Sequence, residues 1–190
     1  GATSGLANTI SGNGPAGVTV RAGVILRGPG TTGNRILGNR IGLNIPGANP
    51  PAVPNSGDGI LIEDGAKNNT IGGAAQPLII SGNSNYGIRI TGIGTEGNTI
   101  GSQVFVGTGA LLNSAVGNAN GGILIEAGAT GTTIDGSTIA GNSGGPGVSV
   151  DGGSVADTTI RNAAIGRFTS GGSQYTFPNA GGVPILNAGT

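Results

Sequence analysis

Eight carboxylates are the chain's main resource for acid–base chemistry: Asp58, Glu63, Asp64, Glu96, Glu126, Asp135, Asp151 and Asp157. There is one lysine, Lys67, with no histidine and no cysteine. The commonest general base, the thiolate nucleophile and sulfur-ligated metal are therefore excluded. Two carboxylates can hydrolyse a glycosidic bond if one is held as an acid and the other as a base across the sugar. Glu63 and Glu126 are the candidates, because each closes the same apolar run, Gly-Ile-Leu-Ile-Glu. Arg21, Thr91 and Asp151 close related runs. If these runs stack as successive strands, Glu63, Thr91 and Glu126 fall on one corner, with the carboxylates about 10 Å apart. No Asp-Asp pair accompanies them, and charges at strand ends also serve simply to hydrate a surface. The expectation is a non-catalytic protein, with Glu63 and Glu126 as the residues that would argue otherwise. Asp58, Glu63 and Asp64, beside the Gly57 corner, are the one cluster suited to Ca²⁺ with backbone carbonyls. The chain has no Gly-Gly-x-Gly-x-Asp repeat of a dedicated Ca²⁺ coil, so no cofactor is expected.

These residues sit on a repeated phrase of three short runs. Gly59–Glu63, Asn68–Ile71 and Pro77–Ser81 form one copy, and the phrase restarts at Tyr86, Gly121 and Pro146. Within the first run apolar residues alternate, as in Ile60/Ile62, Ile88/Ile90, Ile123/Ile125, Val148/Val150 and Val18/Val20. Period two predicts strands with one buried face. Gly or Pro falls every few residues, which excludes regular helix. With 43 glycines the chain could be disordered, but disordered chains lack apolar residues recurring in register. Charged residues are 8% and the formal net charge is zero, so no nucleic-acid footprint is present. No apolar run approaches the roughly 20 residues of a membrane helix.

The second run is Asn-x-Ile or Thr-x-Ile, at Asn34, Asn69, Asn98, Thr132 and Thr158. Residues two apart share a face, so these side chains point inward with the isoleucine and can bond from turn to turn. The third run ends in Gly-Asn at Asn13, Asn39, Asn83 and Asn142, both types tolerating the left-handed backbone of a sharp corner. Outward threonines Thr70, Thr99, Thr133 and Thr159, preceded by Arg35, form a second column. The first-run glycines are Gly17, Gly59, Gly87, Gly122 and Gly147. The long Gly17–Gly59 interval holds either a degenerate turn or one long loop. Residues 44–58 and 106–120 read as loops projecting from one corner, where a repeat protein commonly binds its partners.

Asn69-Thr-Ile-Gly-Gly73, Ile80-Ser-Gly-Asn83 and Gly59-Ile-Leu-Ile62 resemble the right-handed parallel β-helix repeat proteins, in particular the Asn- and Gly-rich arrays of bacterial surface and secreted proteins. The resemblance covers about residues 7–166. It implies an all-β solenoid of three short parallel sheets around a dry core, five to six turns and roughly 25–30 Å long at about 4.8 Å per turn. It also implies an extracellular location. The superfamily spans polysaccharide lyases, hydrolases, adhesins and inert scaffolds, so it leaves function open.

Residues 1–166 are expected to be the repeat domain, with Gly1 the start of a mature or excised chain. Residues 167–190 are expected to be a closing strand, cap or linker. Phe168, Tyr175 and Phe177 in that tail are candidates for assembly. A parallel coil exposes unpaired backbone at both ends, and neither end shows a capping helix. The expected role is a structural or adhesive surface module whose partners are similar turns, in the same chain or in copies of it. Polysaccharide binding or cleavage is the alternative, with surface glycans as ligand.

Overall fold

The computed structural model describes residues 7–14, 22–44, 52–73, 75–152 and 155–186. Gly17, Val18, Val20 and Arg21 lie outside them, as do residues 45–51 of the first long loop. The described chain is a parallel β-helix without α-helices. It opens with β1 (Thr9–Ile10). The first full turn is β2 (Ala22–Arg27), β3 (Arg35–Ile36) and β4 (Arg40–Ile41); the second is β5 (Asp58–Glu63), β6 (Thr70–Ile71) and β7 (Leu78–Ile80). The third is β8 (Tyr86–Thr91), β9 (Thr99–Ile100) and β10 (Val104–Val106); the fourth is β11 (Gly121–Glu126), β12 (Thr133–Asp135) and β13 (Thr138–Ile139). The fifth is β14 (Val148–Asp151), β15 (Thr159–Arg161) and β16 (Ala164–Ile165). An antiparallel hairpin of β17 (Arg167–Ser170) and β18 (Ser173–Thr176) follows, then β19 (Ile185–Leu186).

Three parallel sheets result. The long-strand sheet runs β19-β14-β11-β8-β5-β2, the second β15-β12-β9-β6-β3, and the third β1-β4-β7-β10-β13-β16. Register stacks like on like. Leu26, Ile62, Ile90, Ile125 and Val150 form one inward column. Ile36, Ile71, Ile100, Ile134 and Ile160 form another. In the middle turns these side chains have no exposure, and each contributes roughly 1.5–3 kcal/mol by burial. At the ends, Ile10, Val24, Leu26, Val155, Ile160 and Ile165 are only partly covered.

The first turn differs from the sequence reading. The strand beside β5 is β2, so Arg27, and not Arg21, pairs with Glu63. Gly23-Val-Ile-Leu26 repeats Gly59-Ile-Leu-Ile62, and Arg27 and Glu63 are 36 residues apart. That is an ordinary turn length here, and no degenerate turn is needed.

The corner leading from the third sheet back to the long-strand sheet alternates between two forms. The short form is Ser11-Gly12-Asn13, Ser81-Gly82-Asn83 and Ala140-Gly141-Asn142. The long form is a hairpin closed by a backbone bond: Val53 N to Gly42 O, Val116 N to Gly107 O, and Phe177 N to Gly166 O. Antiparallel bridges Leu43–Ala52 and Thr108–Ala115 extend the first two, and β17–β18 extends the third. Each short corner donates to the next hairpin, Gly12 N to Val53 O, Gly82 N to Val116 O and Gly141 N to Phe177 O. Gly82 must be glycine: a Cβ would come within 2.6 Å of the Ala52 Cβ, at φ +70°. The described residues after Gly166 therefore continue the coil, as its third hairpin corner and, in β19, a further strand of the long-strand sheet.

Candidate functional site

The corner asparagines form the longest polar feature. Asn13, Asn55, Asn83, Asn118, Asn142 and Asn179 stack in one ladder. The side-chain Nδ2 of each donates to the Oδ1 of the next, at 2.8–3.0 Å. Backbone N–H groups of Asn13, Asn83, Asn118 and Asn142 donate to the same oxygens. The second Nδ2 hydrogen goes to a carbonyl one turn back: Ile10 for Asn55, Ile80 for Asn118, Val106 for Asn142 and Ile139 for Asn179. Asn55, Asn118 and Asn142 thus each spend both amide hydrogens and receive two bonds, which is what a buried amide requires. The bonds from one asparagine to the next all point toward the C-terminal end, so they polarise one another in one direction.

Of the four Gly-Asn corners read from sequence, Asn13, Asn83 and Asn142 lie in this ladder. Asn39 sits at a different corner, where its Oδ1 accepts from Asn8 N at 3.1 Å and Asn8 Nδ2 at 3.0 Å. It follows β3 rather than a third-sheet strand, so the Gly-Asn dipeptide marks two corners and not one. The members missed are Asn55, Asn118 and Asn179, which close the three hairpins. Their signal was an apolar residue, then Pro or Gly, then Asn: Val53-Pro-Asn55, Val116-Gly-Asn118 and Phe177-Pro-Asn179.

A second ladder runs at the Asn-x-Ile corner. Asn34 donates through N and Nδ2 to Asn69 Oδ1 at 3.0 Å, and Asn69 in the same way to Asn98 Oδ1. Thr132 and Thr158 continue the column but not the bonding; their buried Oγ1 atoms have no partner. Arg35, Thr70, Thr99, Thr133 and Thr159 lie in register on the outer face of this sheet.

On the outer face of the long-strand sheet the two candidate glutamates are each gripped by an arginine. Arg27 Nε lies 2.7 Å from Glu63 Oε1, and Arg89 Nε lies 2.6 Å from Glu126 Oε1. Both guanidiniums also place Nη2 against the same oxygen. Thr91 intervenes between the glutamates, as its register with Glu126 requires. Each glutamate is held by one arginine, with the Glu63 side chain 3% and the Glu126 side chain 21% exposed. Asp58 and Glu63 stand at opposite ends of β5, and Asp64 turns to Arg27 at 3.5 Å. The three candidate Ca²⁺ ligands therefore do not converge. Among the described residues no group of three or more acidic side chains is placed to hold a metal.

Asp58 has the most unusual environment. It is 1% exposed. Burial pushes its carboxyl up to about 6, against the opposing pull of Tyr86 N–H, Arg89 and Asn85. Asn85 Nδ2 donates to Asp58 Oδ1 at 2.6 Å, Tyr86 N donates to the same oxygen at 3.1 Å, and Asn120 Nδ2 donates to Asn85 Oδ1 at 2.6 Å. A cleft of about 240 Å³ opens here, lined by Ser56, Asp58, Leu61, Asn85 and Arg89 among others. In the tail, Phe168 and Tyr175 are cross-strand backbone partners, and the Tyr175 and Phe177 rings lie 5.8 Å apart.

No family model matches the chain, and neither a curated protein nor a solved structure shows significant similarity to it.

Proposed function

We propose that this chain is a non-catalytic, extracellular structural or adhesive module of a microbial surface, of the Asn- and Gly-rich right-handed β-helix type, that stacks end to end with similar turns. The observation that carries this reading is the asparagine ladder. It runs the described length in one direction and commits its polar groups to joining turn to turn rather than to a ligand. The right hand is taken from the strong preference of parallel crossovers for it. Electron microscopy of the purified chain at neutral pH tests the reading. Rods or fibres are expected; dispersed single particles at high protein concentration count against it.

The Asp58 cleft favours a second reading, a glycan-binding module. A buried carboxyl, an amide and a guanidinium bordering an apolar floor are groups that bind sugar hydroxyls. A glycan array comparing the chain with Asp58→Asn tests it: a specific signal lost in the variant supports sugar binding, and a blank array removes it.

A further inference from the structure

Asp58, at the start of β5, has half of its carboxyl unspent. Both hydrogen bonds that reach it, from Asn85 Nδ2 at 2.6 Å and Tyr86 N at 3.1 Å, end on Oδ1. Among the described residues nothing donates to Oδ2, although the residue is only 1% exposed. The donors on Oδ1 are themselves fixed. Asn85 is held by Asn120 Nδ2 on its own Oδ1 at 2.6 Å, and Tyr86 is a residue of β8. A carboxylate has room for about four incoming bonds, and a buried acceptor without a donor is costly. Oδ2 therefore calls for a donor from outside the chain.

The cleft beside it supplies a complementary group. Arg89 lines it together with Asp58, Leu61 and Asn85. Arg89 meets Glu126 Oε1 through Nε and Nη2, so its Nη1 hydrogens remain to be given. Leu61 stands in register with Arg89 and provides an apolar wall. The cleft is about 240 Å³, below the roughly 300–1,000 Å³ of pockets for drug-sized ligands, so its occupant is small.

The charges select an uncharged occupant. Glu126 already answers the Arg89 cation. An acidic ligand would add a third carboxylate to Asp58 and Glu126 against one guanidinium, and an ammonium would face the remaining Arg89 N–H groups. Like charges brought together in a confined site cost affinity.

We propose that Asp58 Oδ2 and Arg89 Nη1 hold two neighbouring hydroxyls of one neutral sugar ring, the first hydroxyl donating to the carboxylate and the second accepting from the guanidinium. This rests on the glycan-binding reading and adds to it the sugar's charge, its size and the two atoms that grip it.

A dependence on pH follows. The charged and polar groups that act on the Asp58 carboxyl are Tyr86 N–H, Arg89, Asn85 and Glu126, and burial outweighs them to hold its proton up to about 6. The Tyr86 phenol is in the same field and its own acidity is weakened, by burial first and then by Glu126. Below pH 6 the Asp58 carboxyl is neutral, and its bond to a hydroxyl loses the assistance of charge. Binding therefore strengthens as pH rises through 6, by about fivefold between pH 5 and pH 7.5.

Nuclear magnetic resonance titration of the ¹⁵N-labelled chain tests this. The probes are the methyl glycosides of glucose, galactose, mannose and N-acetylglucosamine, with galacturonate and glucosamine as charged comparators, all at millimolar concentration. Saturable shifts of the Tyr86 amide and Arg89 Nε–H signals are expected with at least one neutral sugar, and binding about tenfold weaker for the charged two. Asp58→Asn is expected to remove the pH dependence, and Arg89→Lys, with its β-sheet circular dichroism checked, to weaken binding at every pH. A charged sugar that binds as tightly as a neutral one overturns the charge assignment. Binding that leaves Tyr86 and Arg89 unmoved, or that keeps its pH dependence in Asp58→Asn, overturns the site. A glycan-array signal lost in Asp58→Asn, with no response to any of the four neutral sugars, overturns the single-ring proposal and leaves glycan binding standing. A blank array together with no response removes both.

Discussion

Replacing Asn118 by alanine is expected to cost the fold about 4 kcal/mol. Its side chain takes part in four hydrogen bonds: it accepts from Asn83 N and Nδ2, and donates to Asn142 Oδ1 and the Ile80 carbonyl. Alanine leaves the Asn83 N–H and one Asn83 amide hydrogen without these partners, in a place where Asn83 and Asn118 are each 1% exposed, while the Ile80 carbonyl keeps the Gly107 N–H. A buried group stripped of its partner costs about 1–3 kcal/mol, so two cost roughly 2–6. Total stability of a domain is only about 5–15 kcal/mol, and the variant should be close to unfolding at room temperature. Asn13→Ala is the internal comparison. It removes one side-chain bond, to Asn55 Oδ1, at an exposed end, and should cost about 1 kcal/mol. Urea denaturation followed by circular dichroism measures both. If Asn118→Ala costs no more than Asn13→Ala, water satisfies the ladder and the reasoning fails.

Thr132→Asn should continue the second ladder and remove an unpaired hydroxyl, because Thr133 N bonds Asn98 O as Thr99 N bonds Asn69 O; a gain of about 1–2 kcal/mol in urea denaturation is expected. Asp58→Asn keeps both incoming hydrogen bonds and removes a buried charge. The wild-type carboxyl, ordinarily near 3.8, titrates at about 6 in the folded chain. Between those values the folded state holds a proton that the unfolded state has lost, so this group makes stability fall as pH rises from about 4 to 6. The variant should therefore be up to about 3 kcal/mol more stable at pH 7, with no gain below pH 4, in thermal or urea melts taken across that range. Ala127→Gly should stabilise by about 1 kcal/mol in the same melts. Ala127 is held at φ 50°, where Gly28, Gly92 and Gly152 stand in other turns. Gly42→Ala should be far worse than Gly33→Ala. Both have positive φ, but a Cβ at Gly42 would lie 2.2 Å from Ser81 O, and at Gly33 it meets nothing within 4 Å; comparing their yields and melting temperatures checks this.

Much of the fold was legible because its physics is local. Ile60, Leu61 and Ile62 alternate whatever lies above them, and Asn69-Thr-Ile71 places its amide and its isoleucine on one face from spacing alone. Val18-Thr-Val20, which lies outside the described residues, alternates as well as Gly23-Val-Ile-Leu26 does, and that the latter pairs with β5 is visible only in the structure. The corner ladder was half legible. Its members stand 42, 28, 35, 24 and 37 residues apart, so no fixed period reveals Asn55, Asn118 or Asn179. Glu63 and Glu126 could be placed on one corner from the repeated phrase. That each belongs to an arginine on the neighbouring turn could not, because those contacts cross 36 and 37 residues.

The sequence by itself determined the strands, their inward faces and the need to coil. Short runs with one apolar face cannot bury it alone, and stacking identical runs in parallel does so in every turn. Only the tertiary structure decided which asparagine stands on which, that hairpin corners alternate with short ones, and that Asp58 is buried while Asp64 is exposed. The reason is that register along the axis is set by columns of isoleucine and valine that must lie over one another. The segments between them are free to vary in length, because the entropy of closing a loop grows only with the logarithm of its size. Sequence spacing therefore carries little information about neighbours across turns, and the packed core carries nearly all of it.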